Sequence, residues 1–131
     1  AGAALAPDAA ARVAQVLPAP GVIARRGLDP ARLAPAVQAA LHEDWPTARL
    51  AALCHLSPQR FHARLRELAG RTPQEWLRGL RLDRAEALLA RGLPLETAAL
   101  QCGYASASAL AYALRRERGV GARALRKQRA E

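Results

Sequence analysis

The sequence predicts an all-α protein: two similar short helical units joined by a long linker helix, with an N-terminal connector ahead of them. Three observations carry this prediction. Ala, Leu and Arg dominate, β-branched and aromatic residues are few, and no strand pattern of any length occurs in residues 29–131. Leu77, Leu80, Ala85, Leu88 and Leu89 recur at helical spacing, between Thr72-Pro73 at one end and Gly92 followed by Pro94 at the other. The segments on either side of that run are versions of each other. RLAALCHLSPQRFHARLRELAGRTP sets Ala51, Cys54, His55 and Leu56 on Ala99, Cys102, Gly103 and Tyr104 of TAALQCGYASASALAYALRRERGVGA, an offset of 48. Phe61, Leu65, Arg66 and Gly70 then fall on Leu110, Leu114, Arg115 and Gly119, an offset of 49, so one residue has been added in the turn. A period near 50 with a helix between the copies is the mark of a duplicated helical unit.

The elements follow in order. Residues 1–28 read as a connector and the tail of an upstream domain: Pro7-Asp8 opens a short helix to Leu17, PAPG breaks it, and Gly21–Leu28 is a linker. The chain contains no Met, so it reads as a piece of a longer protein. Asp29-Pro30 is a cap and first-turn pair. Leu33, Val37 and Leu41 then make an amphipathic helix from Pro30 to about Glu43, ended by Asp44-Trp45-Pro46. Thr47 caps a short helix to about Cys54 with Leu50, Ala51 and Leu53 facing inward. After the turn His55-Leu56-Ser57, Ser57 caps a helix from Pro58 to Ala69 that Gly70 stops. Thr72 caps the long helix, Pro73 to Arg91, in which Gly79 is an interior weak point costing about 1 kcal/mol. The second copy gives a helix over Pro94–Cys102, a turn at Gly103–Ala105, a Ser106 cap, a helix to about Arg118 and a stop at Gly119. A last short helix covers roughly residues 121–128. Short helix, tight turn, longer helix is the helix-turn-helix pattern, here twice. The organisation is therefore a connector over 1–28 and a domain over 29–131. That domain divides into a first subdomain at 29–72, a linker helix at 73–91 and a second subdomain at 92–131, the subdomains being homeodomain-like three-helical units.

Charge is distributed unevenly. Residues 1–45 carry four Arg and four acids, whereas residues 46–131 carry 16 Lys+Arg against seven acids, so the whole net charge of +9 sits in the duplicated part. A basic domain of this kind implies a polyanionic partner, most often nucleic acid. Arg enrichment through genome base composition accounts for 19 of the 20 basic residues being Arg but not for the asymmetry.

At about 100° per residue, the helix from Pro58 places Phe61, Leu65 and Leu68 in one arc, the core face. Gln59, His62, Ala63 and Arg66 lie opposite, with Arg60 and Arg64 on the flank. An amide matches adenine, a guanidinium matches guanine N7 and O6, and a small residue admits a thymine methyl. Flanking arginines suit phosphates, which fix register. On the second copy Leu110 and Leu114 point inward, while Ala107, Ser108, Ala111, Tyr112 and Arg115 point outward, flanked by Arg116 and Arg118. That surface holds fewer hydrogen-bonding groups, so weaker base discrimination is expected there. Arg115 and Arg116 are assigned to phosphate. The competing reading of both faces, solvated helix surface with ordinary charge patterning, is weakened by the preceding turns, the duplication and the net charge.

Other chemistry finds little support. No 18-residue apolar run predicts a membrane span. Cys54 and Cys102 occupy equivalent positions and read as small buried side chains; with no disulfide framework, a cytoplasmic location is expected. His42, His55 and His62 lack ligand spacing, and no catalytic constellation stands out, so no metal, cofactor or enzymatic activity is expected.

With these residues in place, Asp29 to about Arg126 resembles the DNA-binding domain of AraC/XylS-type bacterial transcription regulators. The resemblance is carried by the Arg81-Leu82 to Ala85 to Leu88-Leu89 signature in the linker helix, the Gly103-Tyr104 to Ser108 to Gly119 run, and the Gly70 to Pro73 junction. It implies seven helices, with two recognition helices, about 58–69 and 106–118, entering successive major grooves of promoter DNA. It implies base-reading positions at Gln59, His62 and Ala63 in the first copy and at Ala107, Ser108, Ala111 and Tyr112 in the second. His55 stands where the family's first turn commonly has Gly, which predicts a left-handed non-glycine residue. The resemblance also implies double-stranded DNA, and RNA polymerase as a further partner, association with the bacterial nucleoid, and an effector domain outside this chain. Two other readings stay open. One is a protein-interaction module with a degenerate second helix-turn-helix. The other is a relative of DNA-repair alkyl acceptors, which requires an exposed reactive Cys.

Overall fold

The computed structural model describes residues 28–125. The helix expected over Pro7–Leu17, the connector as far as residue 27, and the end of the last short helix beyond residue 125 lie outside the described residues. Six helices are defined: α1 (Pro30–Gln38), α2 (Thr47–Leu53), α3 (Pro58–Ala69), α4 (Pro73–Ala90), α5 (Leu95–Gln101) and α6 (Ala107–Arg118). A further helical turn occupies 122–125, and no strand occurs among the described residues. The chain is all-α, as the composition requires. It divides into two compact units. One gathers residues 28–40 with Trp45–Leu80, the other Leu41–Asp44 with residues 81–125.

In the first unit, Asp29 is extended and its carboxylate accepts the Ala31 N–H at 3.1 Å, opening α1. Leu33, Ala34 and Val37 are buried. Leu28, placed by the sequence at the end of the linker, is completely buried. The helix ends at Gln38 rather than near Glu43. Ala40 N–H already bonds back to the Val37 carbonyl at 3.0 Å, an i→i+3 closing turn, and residues 41–44 leave the unit. The Trp45 indole N–H donates to the Ala40 carbonyl at 2.8 Å, and Gln74 donates to the Trp45 carbonyl at 3.0 Å, so both ends of that excursion are tied.

Pro46, not Thr47, is the residue flanking α2: it is extended, and its carbonyl accepts from Arg49 and Leu50 at 2.9 and 3.2 Å. Leu50 and Ala51 are fully buried, and Cys54 is buried with them. Leu53 is 46% exposed, a correction to its expected inward position. At 100° per residue Leu50, Ala51 and Cys54 share one arc, and Leu53 falls about 110° from its centre. His55 takes the left-handed conformation, φ 57°. The Ser57 hydroxyl accepts the Arg60 N–H at 3.2 Å to open α3, and left-handed Gly70 closes it by donating to the Arg66 carbonyl at 2.8 Å.

The long helix α4 opens with a reciprocal cap. The Thr72 hydroxyl accepts from Glu75 N–H at 3.2 Å and the Glu75 carboxylate accepts from Thr72 N–H at 2.8 Å. The Thr72 backbone N–H, and after it the Thr72 hydroxyl beside the carboxylate, hold the Glu75 carboxyl below its ordinary range. The helix runs on through buried Gly79. It ends where Leu93 N–H reaches the Leu88 carbonyl at 3.1 Å across left-handed Gly92.

The second unit packs Leu82, Ala85 and Leu89 of α4 against Ala98 of α5 and Leu110 and Leu114 of α6, all essentially without exposed surface. The Ser106 hydroxyl caps α6 on Ala109 N–H at 3.1 Å, and left-handed Gly119 ends it. Arg81 explains the short α1. Its guanidinium donates to the carbonyls of Leu41 at 3.3 Å and Glu43 at 2.8 Å. Leu41 is buried as expected, but in this unit and off the helix. Gly103, φ 86°, lies so close that an added Cβ falls 2.5 Å from the Leu41 carbonyl oxygen and 3.0 Å from Arg81 Nε.

Two predictions follow from these contacts. Gly70→Ala, at φ 69° with open space around the site, costs about 1–2 kcal/mol, the left-handed penalty alone. Gly103→Ala adds a clash with a backbone oxygen and costs about 3 kcal/mol or more in urea unfolding. Equal losses for the two would remove the argument from close approach. For Glu75 the sign is set by its lowered folded value: its contribution is present above the unfolded carboxylate range and is lost as pH falls through the folded value. The stability of the parent over Glu75→Gln therefore narrows between about pH 7 and about pH 3 in chemical denaturation. A constant gap would contradict it.

Candidate nucleic-acid interface

Each unit contributes one short-helix, turn, long-helix arrangement, α2–α3 and α5–α6. In the first, the packing of α3 is fixed by Phe61 and Leu65, both fully buried, with Leu68 half-buried beside them. This anchoring turns Gln59, Arg60, His62, Ala63 and Arg66 out to solvent, and all five are exposed. Arg64 is half-buried and pairs with Glu67 one turn on, Nη1 to Oε2 at 3.1 Å. A phosphate at Arg64 competes with that carboxylate. Arg60 and Arg66 are the exposed cations of this face.

In the second, Leu110 and Leu114 are fully buried and set the orientation of α6. Ser108, Arg115 and Arg116 are exposed, Tyr112 is 63% exposed, and Ala107 and Ala111 are half-buried. Arg116 donates to the Tyr112 hydroxyl at 3.1 Å, so the residues expected to meet a base and a phosphate are joined to each other. Arg118, expected on the flank of this surface, turns the other way. Its guanidinium ties to Asp83 at 3.0 Å and to Glu86, fastening the end of α6 to α4 within the unit.

Sequence reasoning missed Thr47 as a neighbour of the first reading face, and missed a cation–ring pair next to α2. Thr47, Pro58 and the exposed side chains of α3 border one shallow depression, and Arg49 stacks 3.8 Å above the Trp45 ring. Helical periodicity within α3 is blind to a residue from α2. Helical spacing gave no signal for the stacked pair either, since Trp45 precedes the extended Pro46 and lies outside α2.

Both thiols are buried. Burial pushes Cys54 up to about 11, aided by Asp29, and pushes Cys102 up to about 11 against the lowering fields of Arg84 and Arg81. This is the reverse of an activated nucleophile. No group of three or more His, Cys, Asp or Glu that could hold a metal occurs among the described residues. None of the helices described is long and apolar enough to cross a membrane.

A family model described as a helix-turn-helix domain matches residues 50–128. No curated protein sequence matches the chain. Among solved structures, a transcriptional regulator with an AraC-type DNA-binding domain from Chromobacterium violaceum superposes with a TM-score of 0.71 at 24% identity, over 77% of this chain and 91% of that one. A DNA-binding transcriptional dual regulator from Escherichia coli K-12 gives 0.68 at 23% identity over 96% of each chain. The DNA-binding domain of AdpA, a global transcriptional factor solved with a target DNA, gives 0.67 at 31% identity over 75% of this chain and 89% of that one.

The Arg118 clasp yields a prediction of its own. Arg118→Gln leaves Asp83 and Glu86 facing each other without the shared cation, in partly buried surroundings. A loss of about 1–2 kcal/mol in thermal unfolding is expected, against little or no change for the fully exposed Arg116→Gln. Equal effects would contradict the assignment of Arg118 to structure.

Proposed function

The chain belongs to the AraC-type helix-turn-helix transcription regulators, and from that membership we propose that it binds double-stranded promoter DNA sequence-specifically and thereby controls transcription. In this reading the helices over about 58–69 and 106–118 enter successive major grooves. The observation that carries it is the outward face of α3, where an amide, an imidazole, a methyl and a guanidinium stand exposed on the side opposite two fully buried anchors. Gln59, His62, Ala63 and Arg66 read bases, Arg60 takes phosphate, and Arg64 takes phosphate when it releases Glu67. Ala107, Ser108, Ala111 and Tyr112 supply a poorer second reading face, and Arg115 and Arg116 bind phosphate beside it. Residues 29–131 form the DNA-binding domain, residues 1–28 its connector, and the protein works on the nucleoid in the bacterial cytoplasm. RNA polymerase is a further partner at the promoter. The AdpA domain, bound to a target DNA in its own structure, supports the double-stranded partner.

Binding sites selected from random duplex DNA provide the substrate for the test. Affinity falls steeply with salt, by a log–log slope of about −0.9 per phosphate neutralised. Gln59→Ala and Arg66→Ala each cost about 1–3 kcal/mol and relax selectivity at one position, whereas Arg115→Ala weakens all sequences alike and flattens the slope by about one. A flat salt dependence sinks the DNA reading. Unchanged DNA affinity in the Gln59 and Arg66 variants favours a protein-docking module instead.

A further inference from the structure

We infer that the first reading face carries an apolar recess that selects a thymine through its 5-methyl group; this rests on the DNA-binding reading above. Thr47 at the start of α2 and Pro58, Gln59, His62 and Ala63 on the first turns of α3 line an open depression of about 400 Å³. Its surface is mostly carbon. Pro58 brings a ring without an N–H, Ala63 brings a methyl, and the Thr47 hydroxyl is engaged by Gln74 Nε2 at 3.4 Å. No acid lines it, and exposed Arg60 and Arg66 stand on the same helix, so the surroundings favour a polyanion's approach.

The chemistry singles out one base. In the major groove thymine presents its C5-methyl next to an O4 acceptor, cytosine has no methyl and presents an N4 amino donor, and adenine and guanine present N7, a polar atom. A polar base edge against carbon walls loses water without gaining a partner. A methyl gains by leaving water, and Gln59 and His62, which line the same recess, are the side chains at hand that can donate to the neighbouring O4.

The experiment takes the best duplex selected from random DNA by the intact chain and replaces each thymine in turn by deoxyuridine, which removes only the methyl. Affinities are read by fluorescence anisotropy at one salt concentration. One thymine in the site loses about three- to fivefold on substitution, and Ala63→Ser, which sets a hydroxyl on the recess wall, shrinks that penalty at the same position. Neutral replacement at every thymine overturns the inference while leaving DNA binding intact. So does a sensitive thymine whose penalty is the same in Ala63→Ser. Selection that enriches no sequence removes the DNA-binding reading and this inference together, and leaves the recess to an apolar side chain of a protein partner.

Discussion

The guanidinium of Arg81 organises the second unit. It collects two backbone carbonyls, of Leu41 and Glu43, from a segment roughly forty residues earlier in the chain. Those oxygens fall in the last turn of the longer α1 that the sequence predicts, where no N–H of the helix itself would reach them. Two charge-assisted bonds outcompete one further turn of an exposed helix, whose own stabilisation is marginal. The clasp also dictates what lies beside it. Gly103 packs against the same carbonyl and the same guanidinium at a distance no side chain can share. Arg81 Nε is buried there without a hydrogen-bond partner, a cost accepted within the arrangement.

This explains an asymmetry between the copies. Both turns need a left-handed residue at the equivalent position, and both have one, His55 at φ 57° and Gly103 at φ 86°. His55 is exposed, so the first turn carries only the backbone penalty of a non-glycine residue, about 1–2 kcal/mol. The second turn carries that penalty and a steric one, which only glycine avoids. The conformation is inherited from the duplicated pattern; the residue is decided by what presses on it.

The same distinction separates what was legible in the sequence from what was not. α3 matches its expected bounds, Pro58 to Ala69, because a Ser cap, a Pro in the first turn and a terminal Gly are local signals. The fully buried anchors Phe61, Leu65, Leu110 and Leu114 were legible through periodicity. The end of α1 was not, since it depends on Arg81, and no window around residue 40 contains Arg81. The partners of Arg118 lie more than thirty residues away, and an arginine at a helix end reads equally well as surface. The Arg64–Glu67 pair was in reach of local reasoning, at i,i+3 spacing, but whether such a pair forms is decided by small energies.

The arginines show why net charge alone does not describe the interface. Arg81 and Arg118 are both committed to holding the second unit together, and neither sits on a reading face. Arg64 is shared with a carboxylate, and Arg116 with the phenol of Tyr112. In the proposed complex Arg60 and Arg115, exposed on α3 and α6, meet phosphate at little cost, and exposed Arg66 is left to the bases. Counterion release counts only the cations that reach phosphate, so in the proposed complex arginines held by carboxylates or carbonyls of the fold add little to the salt dependence. Arg60 and Arg66 lie on α3, the helix that also carries the amide, the imidazole and the apolar recess. On the proposed reading, affinity and discrimination therefore concentrate on the same helix. On that reading the second copy, whose tyrosine and arginine bond each other, contributes chiefly attachment.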